Sequence, residues 1–299
     1  MQAVLVVAHK DAEQIIELSK ILTRKFEVYI HFDTKYRIPA KSAEILKSMA
    51  HVHLFQKIAV NWGAYSIVEA EILLLREAMK NPDISYFHII SGQDWPVRSP
   101  EEIYDFYEGT DRIYMTYVDA ETVTKTGEPT IWWQKYYFYY DDIKRKTVWG
   151  KIYHRLSLLW QTAKRTDKFK DLGISLKIYK GSNWCDLPRY AVDYLLKYLK
   201  ENPNYEKMLR TGFCSDEFIY QTALCNSLYK EKIVNDYHRF RLFVKKNGSY
   251  PAILDETDFS GIEAGNYHFA RKIDLKISEK LIRQLALSNE ERELNNETD

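Results

Sequence analysis

The sequence predicts one α/β domain with a mostly parallel central sheet and helices on both faces. Three observations carry that prediction. Ala3-Val4-Leu5-Val6-Val7-Ala8 is continuously apolar, as a strand covered on both sides must be. A helix-patterned stretch then leads to a second such strand, Val28 to Phe32, so the chain opens as β-α-β with a right-handed crossover. The same alternation returns between Ser66 and Ile90. At 299 residues, 45% hydrophobic, the chain can bury one sizeable core but not two large domains and a linker.

The elements follow in order. Asp11 and Gln14 have the spacing of a capping box, and Ile15, Leu18, Ile21 and Leu22 share one helical face behind them. The second strand ends at Asp33, and ligands in such sheets collect at the carboxyl ends of strands. Ser66 and Glu69 are spaced to cap a helix carrying Ile72, Leu73, Leu75 and Ala78. Tyr86 to Ile90 supplies another buried strand, and Ser99, Pro100 and Glu102 start a further helix. Residues 1–120 thus read as a nucleotide-binding half and 121–288 as an acceptor and catalytic half of the same domain, with 131–170 as an insertion. The polar stretch 289–299 is expected to fray.

Charge and cysteine content exclude several classes. The chain has 43 basic and 42 acidic side chains and a net charge of +1, which gives no general attraction to nucleic acid. Cys185, Cys214 and Cys225 form no CxxC pair, so neither a zinc site nor a disulfide framework is expected. His9, His31, His88 and His268 show no metal-ligand spacing, and no nucleophile elbow or P-loop occurs. With no signal peptide and no apolar run of about 20 residues, the expected location is the cytoplasm, with peripheral contact at the inner face of the membrane as an addition.

Polar, Gly or Trp residues gather where apolar strands give way to helices. These segments are His31-Phe32-Asp33-Thr34-Lys35, Asn61-Trp62-Gly63-Ala64-Tyr65-Ser66, Ser91-Gly92-Gln93-Asp94-Trp95-Pro96 and Gly181-Ser182-Asn183-Trp184, with Ser215-Asp216-Glu217 and Phe269-Ala270-Arg271-Lys272 after them. Each is common alone. Together, in this order over residues 1–275, they resemble the Core-2/I-branching glycosyltransferases, a family that includes branching N-acetylglucosaminyltransferases and peptide xylosyltransferases.

The resemblance implies a GT-A fold, Rossmann-like, and an inverting transfer of sugar from a uridine diphosphate donor to an acceptor hydroxyl. It implies no metal and no other cofactor, since the family lacks the Asp-x-Asp of most GT-A enzymes. It assigns the catalytic base to Glu217 and the diphosphate clamp to Lys272. Animal members also use an arginine about two dozen residues before the lysine, and counting back here reaches Ser249. Arg271, Arg239 and Arg241 are the candidates to replace it.

The residue chemistry agrees. In-line displacement at an anomeric carbon needs a carboxylate to take the hydroxyl proton, and a departing diphosphate needs fixed positive charge. If Ser215 caps the helix behind it, Glu217 lies in the first turn, where the helix dipole favours an anion, while Asp216 beside it opposes that. Asp33 suits uracil or ribose, and Trp62 with Gly63 suits donor contact or plain packing. Asp94 lies where metal acids of related folds would be and is expected to orient the donor sugar or loop backbone. Trp184 is an acceptor-stacking or a core residue, and Asp216 is placed with the acceptor.

Residues 135–170 hold ten Lys or Arg against Asp141, Asp142 and Asp167. Val148, Ile152, Leu156, Leu159 and Trp160 share a helical face. Packing of that face on the core is favoured; the alternative is an amphipathic helix at an anionic membrane or over a lipid-linked glycan acceptor. The rival to an enzyme altogether is a catalytically inactive glycan-binding module on the same fold.

Overall fold

In the computed structural model, which describes residues 1–296, the β-α-β opening forms as expected. Strands β1 (Gln2–Ala8), β2 (Glu27–Phe32), β3 (Val52–Phe55) and β4 (Tyr86–Ser91) are all parallel. β1 lies at their centre, with Val6 level with Ile30 of β2 on one side and Ile90 of β4 on the other. Alternate β1 residues feed two cores: Ala3 and Leu5 pack on one face, Val4, Val6 and Ala8 on the other. Side chains of a strand alternate between faces, so a strand buried on both is largely apolar along its length, and the polar side chains it does carry, such as His88 of β4, are held by hydrogen bonds.

The chain continues through short strands β5 (Asp94–Pro96), β6 (Ile113–Tyr114), β7 (Val118–Asp119), β8 (Thr124–Lys125), β9 (Glu128–Pro129), β10 (Tyr179–Lys180), β11 (Asp186–Pro188), β12 (Ile233–Val234), β13 (Arg239–Arg241) and β14 (Phe269–Arg271). The main sheet has the order β12-β6-β11-β4-β1-β2-β3, and within it β11 alone runs against its neighbours. A second sheet, β13-β14-β5, grows from the turn that ends β4. The direction of strand succession reverses between β1 and β4, which opens a crevice at their carboxyl ends.

Local capping agrees with expectation in part. Asp11 caps the helix Ala12–Leu22 and accepts from Gln14 N at 3.2 Å, and Ser99 caps Pro100–Tyr107 through Glu102 N, also at 3.2 Å. The Gln14 side chain does not return to the cap; it donates to Gly92 O at 2.7 Å and Ile273 O at 3.1 Å, tying the helix to two loops. Ser66 is no cap either, since its hydroxyl accepts from Asn61 N at 2.9 Å inside the preceding loop.

Two expectations are corrected. Residues 289–296 do not fray but complete a helix, Glu279–Asn296, which Leu281 and Leu285 anchor in the core; 297–299 lie outside the described residues. The helix Val148–Ala163 forms, yet its apolar face does not pack on the core: Trp149 is 77% and Leu159 69% exposed. Among the described residues no helix is long and apolar enough to cross a membrane.

Candidate active site

The crevice between β1 and β4 is built by close backbone approach. Gly92 sits where any side chain would collide: a Cβ there would lie 2.6 Å from Ile15 Cδ1 and 3.2 Å from Ala8 Cβ. Beyond it the chain enters β5, where Asp94 is fully buried and its Oδ2 accepts from Ser91 N at 2.7 Å and from the Ser91 hydroxyl. Asp94 pairs across the small sheet with Arg271 of β14, which donates to the same Oδ2 at 3.0 Å and also reaches Ser91 Oγ. Asp94 thus orients loop backbone and an arginine.

Positive charge concentrates beside this pair. Arg241 of β13 is level with Arg271 of β14, so two guanidinium side chains leave one face of the small sheet together. Lys272 follows Arg271 and donates to Ser249 Oγ at 3.0 Å. Its pKa is pushed down to about 8, first by burial and then by the like charges of Arg271, Lys146, Lys10 and Arg241. Burial and neighbouring Lys10, Arg271 and Lys146 lower His9 as well. Cations from four distant stretches of chain therefore crowd one place, an arrangement that costs free energy until an anion enters.

Arg239, the remaining arginine candidate, is not available to that cluster. It is buried and makes a forked ion pair with Asp186 of β11, both contacts at 2.7 Å. Burial works against the Asp186 charge, yet Arg239 and His88 together hold its carboxyl well below the usual range.

The carboxylate side of the crevice is a short turn. Ser215–Glu217 is a 3-10 turn behind Cys214, which sits at φ 51°, and the α-helix begins only at Ile219. Ser215 does not cap it: its hydroxyl donates to Leu209 O and accepts from Gln134 Nε2. The expected dipole support for Glu217 is therefore absent. Two ammonium groups face Glu217 in its place. Lys180 of β10 holds Oε2 and Lys125 of β8 lies 3.7 Å from Oε1. Asp216 is buried behind it, its pKa pushed up to about 7 by burial first and the Glu217 charge second. Glu71, wholly buried, accepts from Tyr220 at 2.9 Å and is pushed up by burial and then by Asp216.

Two bridges join the carboxylate and the cations. Gly181 N donates to Glu217 O at 2.9 Å, and three residues on, the Trp184 ring lies 5.0 Å from the Arg271 guanidinium. On the other side Trp62, half exposed, has Lys146 4.9 Å from its ring and meets Phe213 edge-on at 5.8 Å. Gly63, at φ +74°, accepts from Cys214 N at 2.9 Å, and a Cβ there would strike the Phe213 ring at 2.5 Å. Glu217 and Lys272 thus belong to one neighbourhood. Trp184 itself is buried, with its ring Nε1 unpartnered. Asp33 accepts from Lys35 N at 2.9 Å and Val60 N at 3.2 Å at the end of β2. Among the described residues no three His, Cys, Asp or Glu side chains converge as a metal set.

A family model of Core-2/I-branching enzymes matches residues 3–262. The chain belongs to the Core-2/I-branching enzyme family. Membership makes it a glycosyltransferase, and its domain is α/β with a mostly parallel central sheet. No curated protein sequence matches the chain. Among solved structures, S. aureus TarS in complex with UDP is 16% identical, over 42% of this chain and 39% of that one, with a TM-score of 0.30. Core-mannan synthase A of Aspergillus fumigatus, in an Mn/GDP form, is 11% identical over 78% and 72%, with a TM-score of 0.38. The bifunctional glycosyltransferase WbbM is 10% identical over 90% and 45%, with a TM-score of 0.39. All three are distant in sequence and in superposition, and this chain spans well under two thirds of TarS and WbbM.

Several residues of this Core-2/I-branching site were not legible beforehand. Lys180 adjoins Gly181 and Lys10 ends the β1 loop, so both were within reach of the segments already singled out. Lys125, at the end of β8, and Lys146, in the loop before the helix Val148–Ala163, arrive from stretches that no local pattern connects to Glu217 or Lys272.

Proposed function

We propose that the chain is an inverting, metal-independent glycosyltransferase. It moves a sugar, N-acetylglucosamine before others, from a UDP-sugar to a hydroxyl of a glycan or lipid-linked glycan, and it works at the inner membrane surface. The observation that supports the reading is that Glu217 is linked, through Gly181 and Trp184 on one side and Cys214, Gly63 and Trp62 on the other, to the crowded cations Lys272, Arg271, Arg241, Lys10 and Lys146.

In this reaction the acceptor oxygen attacks the anomeric carbon as the bond from that carbon to the diphosphate oxygen breaks, and UDP leaves with the electron pair. The acceptor proton passes to Glu217, whose Oε2 is engaged by Lys180 while Oε1 stands farther from Lys125. The growing charge on UDP meets Lys272 and the arginines, which supply without a metal the electrostatic stabilisation that a leaving diphosphate requires. Asp33 and Trp62 line the donor side, and Asp94 fixes Arg271. Asp216 stands behind Glu217 on the acceptor side, with Trp184 in the floor between.

A panel of UDP-sugars with free and lipid-linked glycan acceptors, read by UDP release with and without chelator, tests this. Acceptor-dependent release from one donor, unchanged by chelator, is expected. Release abolished by chelator overturns the metal-independent mechanism. Glycan binding without UDP binding or release makes the chain the inactive module.

A further inference from the structure

The helix Val148–Ala163 is inside out. The side that meets the protein buries Gly150, His154 and Gln161, and of the helix's large apolar residues Tyr153 and Leu158 pack partly buried against the core. His154 Nε2 contacts Glu128 at 2.8 Å and its Nδ1 meets the Tyr140 hydroxyl. Gln161 donates to Tyr137 O at 2.9 Å and accepts from Tyr137 N at 2.8 Å. The opposite side carries Val148, Trp149, Ile152, Leu156, Leu159 and Trp160, all exposed. At about 100° per residue these six fall in one arc roughly 120° wide. The hydrogen bonds of the inner face fix the rotation, so the helix cannot roll to hide the arc without breaking them.

The charge around the arc has one sign. Lys144, Arg145, Lys146, Lys151, Arg155, Lys164 and Arg165 occur between Asp142 and Asp167, and no acidic residue does. Lys151 and Arg155 border one edge of the arc; Lys164 borders the other, 4.2 Å from the Trp160 ring. We propose that this helix lies in the interfacial layer of an anionic phospholipid bilayer, with its apolar arc among the upper acyl chains and its flanking cations at the headgroups. A second copy of the chain is a poor occupant, because a two-fold contact would set the same cations against each other with no carboxylate in the segment to meet them. Lys146, just before the helix, also stands over Trp62 and beside Lys272, so a docked helix brings the mouth of the active site to the membrane surface.

The inference rests on the helix and not on the glycosyl-transfer reading, and its test needs no turnover. The full chain is sedimented with vesicles of phosphatidylcholine alone and of phosphatidylcholine with phosphatidylglycerol. Partitioning at least about tenfold stronger onto the anionic vesicles is expected. Leu156→Ser with Leu159→Ser, and separately Lys151→Glu with Arg155→Glu, should each lower it by about tenfold with unchanged thermal unfolding. Equal or absent partitioning onto both vesicle types overturns the proposal, as does undiminished binding by the Leu156→Ser/Leu159→Ser chain. Sedimentation velocity showing a dimer that this variant abolishes assigns the face to a second copy and overturns it too.

Discussion

The Lys272 ammonium donates across 3.0 Å to the hydroxyl of Ser249, a residue 23 positions earlier in the chain. That partner is neutral, so the proposed diphosphate clamp draws its charge from Lys272 and from cations on other strands and loops. Replacing Lys272 by Met should weaken UDP binding about 10- to 100-fold, the worth of one charge-assisted contact. Ser249→Ala should change it less than about threefold. Titration calorimetry separates the two.

Binding should also depend on pH through this lysine. Its pKa in the free protein is lowered to about 8 from 10.5, and a bound diphosphate, being anionic, must raise it again. Below about 8 the ammonium is charged in both states and no linkage arises; above it, binding takes up a proton, so affinity falls as pH rises. Calorimetry near pH 8.5 in two buffers of different ionisation enthalpy should show proton uptake by the native chain, and none by Lys272→Met.

Asp216 makes the opposite kind of prediction, about stability. Its folded-state pKa is raised to about 7 by burial and by Glu217, so between about 4 and 7 the folded chain holds a proton that the unfolded chain has released. The stabilisation is complete below the unfolded value and is lost as pH climbs through 7. Asp216→Asn removes the ionisation. Its advantage over the native chain should therefore grow from pH 5 to pH 8, reaching on the order of 1–3 kcal/mol in urea unfolding.

The buried Arg239–Asp186 fork should behave as structure rather than chemistry. Arg239→Met strands a carboxylate in the core and should cost about 3–5 kcal/mol, while adding Asp186→Leu should recover much of the loss. Urea denaturation of the two variants checks this.

How much of this was legible in the sequence depends on the range of the forces involved. β1, β2 and β4 are covered on both faces and mostly apolar, with Gln2, Glu27, His31, His88 and Ser91 as buried polar exceptions, so the local pattern carried them. The Asp11 and Ser99 caps are equally local. The Ser215 turn was misjudged because its hydroxyl is drawn to Leu209 O, a tertiary partner, and Cys214 adopts a left-handed backbone that cysteine rarely shows. The helix at 148–163 was given the wrong face because hydrophobic periodicity locates an apolar stripe but not which way it points; Glu128, Tyr137 and Tyr140 decide that from another part of the chain. Asp94 stood out by position, but that its partner would be Arg271, level with it in a separate small sheet, was not written in either segment.

Glu217→Gln tests the account most directly, with UDP affinity and sugar transfer measured on the same preparation. The amide keeps the shape and loses the ability to take a proton. UDP binding within about threefold of the native value, with transfer reduced about 10²- to 10⁴-fold, is the predicted result. Transfer within about tenfold of the native rate would contradict the assignment of the base and, with it, the chemistry proposed for the crevice.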